Sequence, residues 1–408
     1  MVAASPSLRD AIDEILPGLV ADRRHLHEHP ELGMQEFETA KFVAARLEQL
    51  GVEDIRTGVA NTGVTGLIRG TGSGPNGDRV LLVRADMDAL PIDEENDVEY
   101  RSQTPGVMHA CGHDGHTAML LATARLLLER RAEFAGTVKL VFQPSEEMPP
   151  GGARPMIDAG VLEDPHIDAA LGLHLAQEQP LGTIAAAAGP TMAAADMFFL
   201  TIQGKGGHGA KPHTTVDPIV VGAQIVTALQ TIVSRERDPL TPAVVTVGAF
   251  LAGSAPNVIP DTATLRGTVR SFSADERQRL ADRIRELASG IATAMGATVA
   301  LDYVFGYPAT SSAAEMVEIV DAAATDVVGA ENLLVKVPTM GGEDMSYFLN
   351  QVPGAFFHVG SRNEERGLVW GHHHPRFDID EAALGIGVEV MVTAVLRYFA
   401  TGWSGQKE

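Results

Sequence analysis

Val80-Leu81-Leu82-Val83-Arg84-Ala85-Asp86-Met87-Asp88-Ala89-Leu90-Pro91 opens on a continuous apolar run and closes on two carboxylates one residue apart. A short branched apolar run without polar alternation predicts a strand buried on both faces, as in parallel sheets. Open α/β sheets collect their chemistry just beyond the carboxyl ends of such strands, where Asp86 and Asp88 stand. The local alternative is that the two aspartates merely cap the next turn.

Two further stretches repeat the pattern. Thr137-Val138-Lys139-Leu140-Val141-Phe142 runs into Gln143-Pro144-Ser145-Glu146-Glu147, and Ala169-Ala170-Leu171-Gly172-Leu173 runs into His174. Between the first two strands, Met108-His109-Ala110-Cys111-Gly112-His113-Asp114-Gly115-His116-Thr117 holds the only cysteine in 408 residues. An apolar helix is expected after it, over 115–131. A thiolate and imidazoles in a turn at a helix N-terminus suit a transition metal, and the helix end favours the thiolate form of Cys111. Three strands that each deliver acidic or imidazole groups at their carboxyl ends predict a metal site.

Around this centre, 408 residues exceed what one growing core accommodates, so two domains are expected. An amphipathic helix is read over 7–28, with His25, His27 and His29 as a solvated helix end. A second helix is read over 34–50, stopped by Gly51. Gly70-Thr71-Gly72-Ser73-Gly74-Pro75-Asn76-Gly77 lacks the lysine and the helix of a phosphate loop, and reads as a hairpin or surface loop. After about residue 187 the pattern changes to a strand at 196–203, a helix at 216–234, strands at 243–251 and 262–271, a helix at 274–295 and a strand at 298–304. That β-α-β-β-α-β order is that of a ferredoxin-like α/β sandwich. The expected division is therefore an α/β catalytic domain over 1–186 and 305–408, with a lid domain inserted at 187–304. The last part resumes with a helix at 312–328, a strand at 355–359, Gly371-His372-His373-His374-Pro375 and a helix at 381–399.

Lys+Arg 31 against Asp+Glu 53 gives a formal net charge of -22, which argues against nucleic acid and anionic membranes as partners. One cysteine excludes an intrachain disulfide framework and fits a reducing compartment. Residues 1–6 carry no basic region followed by an apolar core, and no 18 apolar residues run uninterrupted. The cytoplasm is the expected address.

A hydrolytic metal centre needs ligands, an open position for water, and a base within reach. Cys111, His113, Glu147, His174 and one of His372, His373 and His374 are the ligand candidates. Five are too many for one tetrahedral ion and suit two ions sharing a bridge. Glu146 and Glu147 are adjacent, and neighbours on an extended segment point in opposite directions. One can bind metal while the other, as general base and then general acid, serves the attacking water.

Residues 84–91, 108–117, 143–147, 172–174 and 371–375 resemble, in order, the motifs of the M20 metallopeptidase/amidohydrolase family. The similarity is strongest to its aminoacylase, hippurate hydrolase and indole-acetyl-amino-acid hydrolase branch. The resemblance implies an α/β metallopeptidase-like catalytic domain carrying two divalent transition-metal ions per chain, zinc, manganese or cobalt. It implies an inserted lid that makes a homodimer or higher homo-oligomer. In that branch the ligands map to Cys111, His113, Glu147, His174 and His373, two residues before Pro375, with Glu146 as catalytic base. Asp86 stands where other branches have a metal histidine, and Asp88 falls in the supporting shell. Gly206-Gly207-His208-Gly209 resembles the family's lid segment, whose histidine steadies the oxyanion in the partner subunit's site. Such a donor is worth about 3–4 kcal/mol when removed. Asn257 and Arg270 match positions that hold the substrate carboxylate, for which a guanidinium is the natural bidentate partner. Glu343 and Asp344 are read as site wall and helix cap.

The function so implied is metal-dependent hydrolysis of N-acyl-L-amino acids to a carboxylate and a free amino acid. N-acetyl-diaminopimelate deacetylation or dipeptide cleavage is the alternative within the family, and a non-catalytic metal-binding dimer the alternative of another class. Glu146 beside a full ligand set favours turnover.

Overall fold

The computed structural model describes residues 7–401, so the stretch 1–6 read above for a targeting signal lies outside the described residues. Contacts divide the chain into two compact units. One comprises Met1–Gly189, Ser311–Val337 and Asp344–Glu408, the other Pro190–Thr310 and Pro338–Glu343.

In the first unit the strand foreseen at 80–83 runs over Val80–Asp86, with all seven residues buried. It lies between Thr137–Gln143 and Ala169–Pro180 and is parallel to both. Gly354–Arg362 continues the parallel set beyond Ala169–Pro180. Glu53–Val59 and Gly63–Arg69 form one margin of this eight-stranded sheet, and at the other Ile184–Ala186 runs antiparallel to Gly354–Arg362 and parallel to Leu333–Val335. From Val80–Asp86 the chain passes through helix His113–Glu129 to the neighbour on one side, then returns to the neighbour on the other. Strand order thus reverses between Val80–Asp86 and Ala169–Pro180, the kind of switch point where a crevice opens at the strands' carboxyl ends.

Helices Leu8–Glu28, His113–Glu129 and Ala382–Ala400 pack on one another. They bury Ile12, Leu19, Leu120, Leu127, Val388 and Val395 in the main core, each worth roughly 1.5–3 kcal/mol when fully removed from water. Helix His113–Glu129 starts directly after Gly112, whose φ of 92° falls in the left-handed region. Only glycine takes that conformation without strain, so Gly112 sets the sharp entry that places Cys111 and His113 together.

One expectation about this sheet is corrected. His174 lies inside the 12-residue strand Ala169–Pro180 and not at a strand end, because Leu175 and Ala176 continue to pair with Val359 and Gly360.

The second unit is built on an antiparallel sheet in the order Val244–Ala252, Thr262–Ser271, Ala194–Gln203, Thr298–Tyr307. Helices Pro218–Arg235 and Ala274–Ala294 pack on it around Phe198, Leu200, Ile225, Leu229, Leu280 and Ile284. Asp217 and Ser273 cap the two helices, their side chains accepting the N–H of Ile219 and Glu276.

Among the described residues two helices, Pro218–Arg235 and Ala382–Ala400, are long and apolar enough to cross a bilayer by length and composition alone. Ala382–Ala400 is mostly buried in the first unit's core, and Val221, Ile225, Leu229 and Ile232 of Pro218–Arg235 are buried in the second.

Candidate metal centre

Two imidazoles of the centre, those of His113 and His174, are each oriented by a backbone carbonyl at Nδ1. The ring Nδ1 of His113 sits 2.9 Å from the carbonyl of Asp88, which can only accept, so in the neutral ring the proton is on Nδ1 and Nε2 is the acceptor. His113 is fully buried and its Nε2 has no hydrogen-bond partner. His174 repeats the device, with Nδ1 2.6 Å from the Leu175 carbonyl and Nε2 facing Cys111 Sγ at 3.6 Å. The N–H of His373 donates to the carbonyl of Ala110 at 2.8 Å, which ties the histidine run to the cysteine turn. His373 Nε2 then stands 3.0 Å from Glu147 Oε1, near enough for an ion pair.

Donor atoms of Cys111, His113 and His174 lie within 4.8 Å of one another, and so do those of Cys111, Glu147 and His373. The two triads share the thiol. Glu146 forms a third grouping with His113 and Glu147. The structure thus brings together six of the residues singled out in the catalytic unit: Cys111, His113, Glu146, Glu147, His174 and His373. These clusters form candidate binuclear metal sites.

The electrostatics fit divalent cations. Burial pushes the Cys111 thiol well above its usual range, and the carboxylates of Glu147 and Glu146 push the same way. The helix end was expected to favour the thiolate, but a helix terminus contributes less than burial beside two anions. Burial disfavours the charged form of His113, yet Asp86, Asp88 and Glu147 raise it to about 10. The negative charge around His113 would hold a cation in place of that proton, and a buried thiol, two imidazoles and the Glu147 carboxylate are a donor set for a borderline-soft cation.

Asp86 has its own partners. Its Oδ2 takes Arg84 Nη1 at 2.6 Å and its Oδ1 lies 2.6 Å from His116 Nδ1. His116 Nε2 accepts the Leu175 N–H at 2.9 Å, so His116 keeps no lone pair for a cation. We read Asp86 and His116 as the buttress behind His113 and His174. Asp88 supports the other side: Oδ1 accepts the N–H of Glu146 at 2.8 Å and Oδ2 that of Glu147 at 3.0 Å.

Of the neighbouring histidines, His374 stacks on Trp370 and its Nδ1 accepts the Arg376 N–H. His372 is pushed down to about 4 by burial, its ring 5.1 Å from that of His174. Asp344 accepts from Arg84 Nη2 and Gln143 and takes the N–H groups of Gly152 and Ala153.

His208, Asn257 and Arg270 lie in the second unit. His208 pairs with Val258 across a two-stranded ribbon, and the carbonyl of Asn257 accepts the N–H of Gly209 at 2.8 Å, so these two candidates are neighbours. Both are exposed. The N–H of Ala210 donates to His208 Nδ1, which leaves the ring proton on Nε2 as a free donor. Arg270 is half-buried. Its Nε donates to the Met340 carbonyl at 3.1 Å, and its Nη1 is engaged by Thr268 and the Val269 carbonyl.

A buried network was missed from sequence. His27, read as part of a solvated helix end, is fully buried, its Nδ1 2.7 Å from Asp114 Oδ2 and its Nε2 3.2 Å from Glu94 Oε1. Arg23, also fully buried, donates to the same Asp114 oxygen at 2.8 Å and to Asp378 at 2.9 Å. The only local signal was the i, i+4 spacing of Arg23 and His27, which puts both on one helix face.

Residues 82–397 match the profile of Peptidase family M20/M25/M40. The chain is 39% identical over 395 residues to thermostable carboxypeptidase 2 of Saccharolobus solfataricus, covering 96% of this chain and 98% of that protein. It is 45% identical over 300 residues to an N-acyl-L-amino acid amidohydrolase of Geobacillus stearothermophilus, covering 74% and 79%. Among solved structures, a dinuclear metal-binding M20-family peptidase of Bacillus subtilis superposes with a TM-score of 0.82 at 35% identity, covering 95% of this chain and 99% of that one.

Proposed function

The chain belongs to peptidase family M20/M25/M40, and on that premise we propose that it hydrolyses N-acyl-L-amino acids in the manner of an aminoacylase or hippurate hydrolase. It is a metal-dependent amidohydrolase that cleaves the amide bond of acylated amino acids. The observation that carries the finer reading is the pair of donor triads sharing Cys111, with Glu146 beside them.

Cys111, His113, Glu147, His174 and His373 would hold two divalent cations. Bound there, such ions supply Lewis acidity that lowers the pKa of water and polarises a carbonyl. Glu146, whose N–H is pinned by Asp88, takes the proton of the attacking water and returns it to the departing amine. His208 offers its Nε2–H to the oxyanion of the tetrahedral intermediate, serving the site of a partner subunit in a homodimer. Asn257 and Arg270 receive the carboxylate of the amino-acid half. The likeness to a carboxypeptidase supports a second substrate class, short peptides, whose leaving amine carries the same carboxylate. The β-α-β-β-α-β order supports a ferredoxin-like reading of the second unit, with the lid over 187–304. The cytoplasm remains the proposed location.

The test is a hydrolysis panel of N-acetyl, N-benzoyl, N-indole-acetyl and longer N-acyl amino acids, with dipeptides alongside. It is run after reconstitution with zinc, manganese or cobalt. Turnover of acyl amino acids above dipeptides supports the proposal. Preference for dipeptides supports the second class, and full metal loading without turnover of any substrate overturns both.

A further inference from the structure

The turn that carries Glu146 and Glu147 is held from two directions by carboxylates of the protein itself. Strand Thr137–Gln143 is followed by Pro144 and then Ser145, whose φ is +53°. A residue with a Cβ is strained there, and such strain persists only where surrounding contacts over-determine the backbone. Three successive amides supply those contacts. The N–H of Ser145 donates to Glu36 Oε1 at 2.8 Å, and those of Glu146 and Glu147 donate to the two oxygens of Asp88. Consecutive N–H groups around a left-handed residue form a concave nest for an anion, and here side-chain carboxylates occupy it.

Glu36 is fully buried just before helix Phe37–Leu50. Its Oε2 accepts the Thr62 hydroxyl at 2.5 Å. The approach is close: a Cβ on Gly33 would come within 2.6 Å of Ser145 Oγ, so the segment before the helix lies directly against the turn. Burial pushes the Glu36 carboxyl up to about 7. A buried carboxyl with both oxygens committed to donors is a built contact, and nothing in the hydrolytic reading uses it.

We infer that Glu36 is a positioning residue for the hydrolysis, holding Ser145 in its left-handed conformation and thereby aiming Glu146. This rests on the reading of Glu146 as the base. Without Glu36 the Ser145 N–H is buried and unpaired, and the turn relaxes toward negative φ. Glu36 itself touches no reacting atom. It acts through the backbone, so its loss lowers kcat and leaves KM nearly unchanged.

The experiment compares E36A and E36Q with V43A, a core change on the same helix that serves as a stability control, in the full-length protein. Amide hydrogen exchange of the turn is read in metal-free protein, and kcat, KM, metal content and Tm after reconstitution. E36A is expected to lose exchange protection over 145–147 and roughly tenfold to a hundredfold in kcat, with KM within about twofold, as misplaced catalytic groups do. E36Q keeps an oxygen for the Ser145 N–H and is expected to restore both readouts. V43A is expected to lower Tm without lowering kcat. E36D, which keeps the charge but draws the oxygens back by a methylene, carries the test where E36A does not fold. Unchanged protection or unchanged kcat in E36A or E36D overturns the inference, as does an equal kcat loss in V43A at matched Tm. E146Q assayed in parallel separates the two readings. Normal turnover there removes the base assignment, while exchange protection still reports on Glu36.

Discussion

Asp88 spans Glu146 and Glu147 with one carboxylate, Oδ1 on the first amide and Oδ2 on the second. Its carbonyl also fixes the Nδ1 proton of His113. One residue therefore sets the backbone of the proposed base and of one proposed ligand, and the ring orientation of another. D88N replaces one accepting oxygen with an NH₂ that faces a backbone N–H. The expected result is a folded protein with kcat lowered roughly a hundredfold, since a misplacement of about 1 Å can cost that much. Steady-state kinetics with metal content measured on the same samples decides it, and near-wild-type kcat would remove Asp88 from the positioning role.

The adjacent glutamates should separate by phenotype. Glu147 lies in a triad with Cys111 and His373, so E147Q is expected to lose bound metal together with activity. E146Q is expected to keep its metals and lose roughly 10²–10⁴-fold in kcat, the usual worth of a positioned general base. Elemental analysis beside kcat distinguishes them, and a fully active, fully metallated E146Q would require another base.

Part of this site was legible because Glu146 and Glu147 follow a short apolar strand and His113 opens a helix. The runs before Asp86 and Gln143 mark the sheet, and Gly112 between Cys111 and His113 marks the turn. What was not legible depends on distance along the chain. Glu36 meets Ser145 across 109 positions, and His27 meets Asp114 across 87. Periodicity sees His27 only as one of three histidines near a helix end, and cannot tell a solvated ring from one between two carboxylates. The thiolate preference expected of Cys111 failed for a related reason. Local geometry suggests the helix end, whereas burial and the Glu147 and Glu146 carboxylates come from the tertiary fold.

The buried network behind the cysteine turn should be costly to break. Asp114 is fully buried and holds both Arg23 and His27. D114N removes the most deeply buried of the anionic partners of Arg23 and leaves it Asp378 at 2.9 Å and Glu381 at 3.5 Å. A loss of about 3–5 kcal/mol is expected, as for other buried pairs deprived of one member. Urea unfolding of wild type and D114N in metal-free buffer measures it, and a loss below about 1 kcal/mol would mean the network relaxes around the change.

Glu36 adds a pH signature. Burial raises its carboxyl from the usual 4.5 to about 7, so the folded protein binds this proton more tightly than the unfolded chain. Its contribution is fully present below the unfolded value and is lost as pH rises through the folded one. The stability difference between wild type and E36Q, followed by urea unfolding, should therefore shift against wild type as pH rises from about 4 to about 8. A difference that stays flat over that range would show that folding leaves the proton affinity of the carboxyl unchanged.

The last expectation concerns His208. Its Nδ1 is occupied by the Ala210 N–H, so the proton sits on Nε2, and the ring is exposed on a short ribbon beside Asn257. A donor so prepared, in a unit other than the one that carries Glu146, suits service to a neighbouring subunit. H208A alone is expected to lose roughly 10²–10³-fold in kcat, the scale seen when one oxyanion donor is removed, while retaining metal. E146A should be comparably inactive for want of the base. Mixed and allowed to exchange subunits, the two chains can form hybrids in which one site has Glu146 from one subunit and His208 from the other. Recovery of part of the wild-type activity, rising with the extent of exchange, is the expected result. Complete inactivity of the mixture despite exchange demonstrated by mass spectrometry would place the oxyanion donor within the same chain.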